Sequence, residues 1–197
     1  MTEDVERFTL VSEEPASGRL LVAAPTLGDP NFAGTVVLLL DHDGDGTLGV
    51  VLNRPSPVAV ASVLPDWAPS VEPPEVLFEG GPVSTDAALA VAAVPESDGP
   101  EPIGFRRLFG AVGIIDLDTP REVLAPAMTG LRIFAGYAGW GSGQLDAEIA
   151  EGSWYVVDFT PGDVFAGAPT KLWHTVLRRQ PSELAWISTR PVDPAHN

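Results

Sequence analysis

The stretch Thr35-Val-Val-Leu-Leu-Leu40 constrains the chain more than any other feature. A continuous β-branched and aliphatic run of this length reads as a strand buried on both faces, which needs packed layers on either side of it. Asp41-His42-Asp43-Gly44-Asp45-Gly46 follows, then the apolar Leu48 to Leu52, so two strands joined by a tight turn are expected. Leu20 to Ala24, closed by Pro25, gives a third strand. Val76 to Phe78 and Ala87 to Val94 read as strands flanking the turn Gly80-Gly81-Pro82, and Ala111–Leu117, Leu131–Tyr137 and Trp154–Phe159 add three more.

Helical signals are fewer. Val58 to Leu64 reads as a short helix ended by Pro65, and Thr119-Pro120 opens a brief one. A third is expected near 143–151, entered from a glycine-rich turn. Pro169 begins the last, which places Leu172, Trp173, Val176 and Leu177 on one face, Arg178 and Arg179 at its C-terminal end, and Pro181 as its stop. Short strands linked by turn signals imply a mixed α+β fold with a largely antiparallel sheet. The loops 65–75 and 95–104 are proline-rich but too short to link domains, so one domain over 18–190 is expected, with an arm at 1–17 and a tail at 191–197.

Composition narrows the function classes. Hydrophobic residues make up 45% of the 197, too many for a disordered chain. No apolar run approaches the ~20 residues of a membrane-spanning helix. The acidic start, MTEDVERFTL, lacks the basic and apolar regions of a signal peptide, so the cytoplasm is the expected compartment and no membrane contact is expected. There are no cysteines, which removes disulfides and thiolate chemistry. Twenty-seven acidic against eleven basic residues give a net charge of −16. Such a field repels phosphate backbones, so direct nucleic-acid binding is not expected.

Four segments hold residue types that can carry chemistry. Asp41 to Gly46 matches the opening of a calcium-binding loop, but position 52, where a bidentate glutamate belongs, is Leu52. A plain hairpin turn is the expected reading. Gly136-Tyr-Ala-Gly-Trp-Gly-Ser-Gly143 leads into a helix start, where free amides can hold an anion, yet its spacing is neither GxGxxG nor a P-loop. Gly139 and Gly141 are expected to take conformations that side chains oppose, seating Tyr137 and Trp140. Ser142 lies between glycines but outside a G-x-S-x-G elbow, and His42, His174 and His196 sit in no metal or triad spacing. On the helix after it, Leu145 and Ile149 face the core while Gln144, Glu148 and Glu151 share another face, with Ser142 as the expected N-cap. Paired carboxylates suit acid–base work, and they equally suit a solvated face.

The run from Gly136 to Ile149, followed by Trp154, resembles the signature of the bacterial AlgH/YqgE family. Further matches are Leu20–Phe32, Thr35–Pro55 (ending Asn53-Arg54-Pro55), Gly80-Gly81-Pro82-Val83, Asp163-Val164-Phe165 and Trp173. The resemblance implies a bifurcated sheet wrapped as a pseudo-barrel with flanking helices. Some members carry the label of transcriptional regulator, and the family transfers no catalytic residues.

The expected function is a non-enzymatic binding or regulatory protein that acts through protein or small-ligand contacts and uses no cofactor or metal. Candidate contact residues are Gly136, Tyr137, Gly139, Trp140, Gly141, Gln144, Glu148, Trp154, Gly80, Gly81, Pro82, Asn53 and Arg54. The alternatives are an enzyme or sensor with a small-molecule site at the Gly136–Gly143 turn, and a direct DNA binder.

Overall fold

The computed structural model describes residues 14–189. The expected tail and residues 1–13 of the expected arm lie outside them. Ten strands form the sheet: β1 (Arg19–Ala23), β2 (Val36–His42), β3 (Gly46–Val51), β4 (Pro55–Ala59), β5 (Val76–Glu79), β6 (Val83–Ala93), β7 (Phe105–Phe109), β8 (Val112–Ile115), β9 (Gly130–Gly141) and β10 (Trp154–Asp158). Six short helices accompany them: α1 (Val60–Val63), α2 (Arg121–Leu124), α3 (Gln144–Ala150), α4 (Pro161–Val164), α5 (Leu172–Arg178) and α6 (Ser182–Ile187).

The main strand order is β10-β1-β2-β3-β9-β6-β8-β7, and every pair along it is antiparallel. The sheet forks at β9. Ala138–Gly141 of β9 pair with β3, whereas Phe134 and Ala135 pair with β5 in the sheet's parallel contact. β5 carries β4, whose Pro55 and Pro57 suit an edge because proline donates nothing to a ladder. Gly80 stitches the fork: its amide donates to the Ala135 carbonyl and its carbonyl accepts from the Val51 amide, both at 2.9 Å. A Cβ on Gly80 would run into the Gly136 carbonyl oxygen, so the close crossing of backbones requires glycine here. The forked, mostly antiparallel half-barrel agrees with the architecture that the resemblance implies.

β9 feeds three apolar cores. Leu131 and Ile133 enter one with Leu124 and Trp67; Phe134 enters a second with Phe78, Leu38 and Trp173; Ala138 and Trp140 enter a third with Trp154 and Leu145. Trp173 anchors α5 through an indole hydrogen bond to the Ala23 carbonyl, at 2.9 Å. Asp163 and Arg179 tie α4 to the end of α5 in a two-pronged ion pair of 2.5 and 2.6 Å.

Several elements differ from expectation. The glycine-rich segment is strand up to Gly141, so the turn shrinks to Ser142-Gly143. Gly139 and Gly141 are not strained, and a Cβ there would meet nothing nearer than 3.6 and 3.9 Å. The left-handed positions are Gly136 (φ 72°) and Gly143 (φ 69°). Val58 belongs to β4, and the helix after it is one turn, α1. β6 starts four residues before Ala87. β7, α4 and α6 carry no periodic apolar signal and were not expected. Pro181 does stop α5, and α6 begins directly after it.

Candidate functional site

The signature segment builds a closed polar knot. Glu148 extends from α3, and its Oε2 accepts both indole N–H groups, from Trp140 at 3.0 Å and Trp154 at 2.8 Å. Its Oε1 accepts the Gln144 side-chain amide at 2.9 Å, and the Gln144 Oε1 accepts the Gly141 backbone amide at 3.0 Å. Both ends of Gln144 and both oxygens of Glu148 are therefore engaged. Ser142 does not cap α3; its hydroxyl donates to the Gly44 carbonyl at 2.7 Å and ties the turn to the β2–β3 hairpin, while Gly143 takes the N-cap position. Together these bonds fix α3 on the sheet, because two buried indoles need an acceptor and Glu148 supplies it to both.

A second set of bonds reaches this knot from the other side. Asn53 accepts the Val36 amide and donates to the Gly34 carbonyl, each at 2.9 Å. The Arg54 guanidinium donates to the carbonyls of Asn31 (2.6 Å), Pro30 (3.0 Å) and Ala33 (3.3 Å). Both residues thus hold the loop between β1 and β2. That loop carries Phe32, which stacks on Trp140 (centroids 5.6 Å apart) and meets Trp154 edge-on at 5.5 Å. Phe32 was not among the residues singled out, although a lone aromatic inside a Gly/Pro/Asn loop is the signal for such an anchor.

The remaining sequence candidates separate. Gly80, Gly81 and Pro82 lie at the fork, some way along β9 from the knot. Tyr137 is half-buried and packs on the second core, and Gly139 is exposed. Asp41–Gly46 is a hairpin turn in which the Asp43 carboxylate accepts the amides of Asp45 and Gly46 at 2.8 and 3.1 Å. His42 bonds Thr47 and His174 bonds the Ser188 carbonyl. No cluster of three or more potential metal ligands occurs among the described residues.

One open feature is a cleft at the fork. Asn31, Arg54, Glu79, Gly81, Pro82, Thr85 and Ala135 enclose about 320 Å³. One wall is a wide bulge in β6: Val83 pairs with Tyr137 and Ala88 with Ala135, leaving four residues of β6 opposite Gly136 alone. Ser84 there has φ 48°, a conformation a non-glycine residue adopts at a cost. Gly136 answers from β9, where a Cβ would sit 2.7 Å from the Gly81 oxygen and 2.8 Å from that of Val83. Arg54, Gly81 and Pro82 were expected in a contact site. Asn31, Glu79 and Thr85 were not, and Thr85 carries no sequence signal, because the bulge that presents it exists only through pairing.

A forked antiparallel half-barrel with an inward-bonded tryptophan knot and a cleft at the fork defines the class. The chain belongs to the AlgH-like family (DUF179), whose pattern matches residues 20–185. It is 58% identical over 183 residues to a UPF0301 protein of Streptomyces coelicolor, covering 92% of this chain and 95% of that one. A UPF0301 protein of Mycobacterium tuberculosis is 46% identical over 182 residues, covering 92% and 90%. The crystal structure of a Corynebacterium diphtheriae protein matches with a TM-score of 0.84 at 37% identity, covering 91% of this chain and 94% of that one. The solution structure of the AlgH protein from Pseudomonas aeruginosa matches with a TM-score of 0.65 at 28% identity, covering 91% and 97%.

Proposed function

We propose that this chain is a non-catalytic binding protein whose recognition surface is the fork cleft rather than the signature turn. One observation carries the reading. Trp140, Trp154, Gln144 and Glu148 spend their polar side-chain groups on one another and on the Gly141 amide, while the fork cleft stays open and is walled by four separated segments of the chain. A carboxylate that accepts two indoles and an amide is occupied as a structural acceptor, not poised for proton transfer.

The charge of the cleft supports a polar partner. Glu79 is exposed at its rim, and Arg54 lines it while its guanidinium grips the loop carbonyls. The other arginines support a protein or small-ligand partner over nucleic acid. Arg107 bonds Glu101 and two carbonyls, Arg179 bonds Asp163, and Arg132 is buried, which leaves Arg106, Lys171 and Arg178 exposed against a net charge of −16.

The test is capture from an extract of the native host with three versions of the full chain. Thr85→Trp and Glu79→Arg fill or recharge the cleft, and Gln144→Ala opens the knot. A partner held by wild type and Gln144→Ala, and lost from both cleft variants, supports the cleft. A partner retained by Thr85→Trp and Glu79→Arg overturns it.

A further inference from the structure

The fork cleft does not end at Thr85 and Ala135. Both residues also line a second depression of about 250 Å³, whose other walls are Val63, Leu64, Leu77, Ala87 and Ala88, with the exposed Asp86 at its rim. One trough therefore joins a polar end to an apolar end. Strand pairing explains its floor. Glu79 pairs with Ala135 and Ala135 with Ala88, so these side chains share one face of β5, β9 and β6. Leu77 lies two residues before Glu79, on that same face and about 7 Å away. The alanines keep the floor low, and the end of α1 raises Val63 and Leu64 beside it.

The polar end holds three side-chain acceptors: the Glu79 carboxylate, the Thr85 hydroxyl and the Asn31 side-chain carbonyl. None of them makes a hydrogen bond or ion pair among the described residues. Arg54 is the one cation of the two linings among the described residues, and it already donates to three loop carbonyls. Two carboxylates, Glu79 and Asp86, stand against it, so the trough favours a positive guest. An ammonium group has three N–H donors, one for each acceptor, and a lysine stem is apolar enough for the alanine floor and Leu77. Most of the lining is exposed, Asn31, Val63, Glu79, Thr85, Asp86 and Ala88 included. A free small molecule needs a site that buries roughly 70–90% of its surface, so this trough better suits a side chain whose position the rest of an interface fixes.

We infer that the trough takes a lysine side chain presented by a partner protein, its stem on Leu77, Ala135 and Ala88 and its ammonium among Glu79, Thr85 and Asn31. This rests on the cleft reading above and names the chemistry of the partner. Asp86 adds attraction from the rim without a direct bond. A second copy of the chain is a poor source of the guest. Lys171 is its single lysine, and each copy carries −16, so two copies repel.

The test uses the 15N-labelled full chain and three capped peptides, Ala-Ala-X-Ala-Ala with lysine, Nε-acetyllysine or glutamate at X, beside hexylammonium chloride. The lysine peptide should bind saturably and shift the amides of residues 77–79, 85–88 and 135. Acetyllysine keeps the stem and loses the charge, so its peptide should bind about tenfold more weakly, as should the lysine peptide to Glu79→Gln. Asp86→Asn should weaken the lysine peptide by less than about twofold. No saturable shift at tens of millimolar lysine peptide, shifts centred elsewhere, or equal binding by the acetyllysine or glutamate peptide overturns the inference. So does a larger loss with Asp86→Asn than with Glu79→Gln. Binding of hexylammonium without binding of the lysine peptide overturns it in favour of a free amine. Acetylating the lysines of the host extract before capture separates this inference from the cleft reading. Loss of the captured partner supports the lysine. A partner still held by wild type and still lost from Thr85→Trp leaves the cleft reading standing and removes the lysine.

Discussion

Trp140 and Trp154 donate their indole N–H groups to the same oxygen of Glu148, at 3.0 and 2.8 Å. The two rings stand at 81°, with centroids 5.9 Å apart and Phe32 against both. A single acceptor thereby settles two large buried side chains from strands β9 and β10, which lie at different positions in the sheet. Glu148→Ala orphans both donors, and each buried unsatisfied group costs about 1–3 kcal/mol, so a loss of roughly 2–4 kcal/mol is expected. Glu148→Gln keeps an acceptor oxygen and should lose less than half as much. Urea denaturation of the two variants, with tryptophan fluorescence as the probe, reads the difference.

Arg54→Lys should loosen the loop between β1 and β2. The planar fork reaches three carbonyls, and an ammonium cannot hold all three in that geometry. Amide exchange should accelerate at Asn31–Gly34, and the change should reach Trp140 through Phe32. A loss of about 1–2 kcal/mol is expected by chemical denaturation.

Gly136→Ala and Gly139→Ala should part company. At Gly136 the left-handed backbone and the oxygens of Gly81 and Val83 leave no room for a Cβ, so a cost of about 3 kcal/mol or outright misfolding is expected. At Gly139 the nearest atom lies 3.6 Å away and alanine should change stability by less than about 0.5 kcal/mol. Thermal melts of the pair decide.

Arg132 is almost fully buried over the Phe78 ring, 4.2 Å from its centroid, and its Nε has no hydrogen-bond partner. Burial pushes its pKa down to about 10, partly offset by Glu72. The guanidinium does bind the carbonyls of Pro73 (2.8 Å) and Ala166 (3.3 Å), which pins two loops against the sheet. Because the folded-state pKa is lowered for a base, the unfolded chain binds the proton more tightly. The charge therefore costs stability at neutral pH, and that cost is relieved as pH rises above about 10. Wild type should gain stability relative to Arg132→Met across that window, measured by denaturation at several pH values. Arg132→Lys, with the same charge and a single donor point, should be less stable than Arg132→Met at pH 7.

Much of the architecture is legible in sequence because it rests on local pattern. The Thr35–Leu40 run, the Asp/Gly hairpin and the apolar face of α5 each announce themselves within a few residues. The fork does not, since it depends on β9 being long enough to serve β3 with one half and β5 with the other. The glycines of the signature mislead for a related reason: they look like a turn, but in β9 two of them only leave room, and Gly136 alone takes the left-handed bend. Trp140, Trp154, Gln144 and Glu148 were recognisable together, yet their spacing is equally consistent with a ligand site. The bonds between them show that their polar atoms face one another. Thr85 was invisible, because a bulge is a property of two strands at once.

The most direct measurement is complementation of a strain lacking this protein, with melting temperature recorded for the same variants. If recognition lies at the fork, Thr85→Trp, which changes an exposed side chain, should melt within about 2 °C of wild type and fail to complement. Gln144→Ala should melt lower, because it frees the Gly141 amide and one Glu148 oxygen, and still complement. Full complementation by Thr85→Trp, with loss of function in a Gln144→Ala protein that melts like wild type, would return the site to the signature segment and contradict this account.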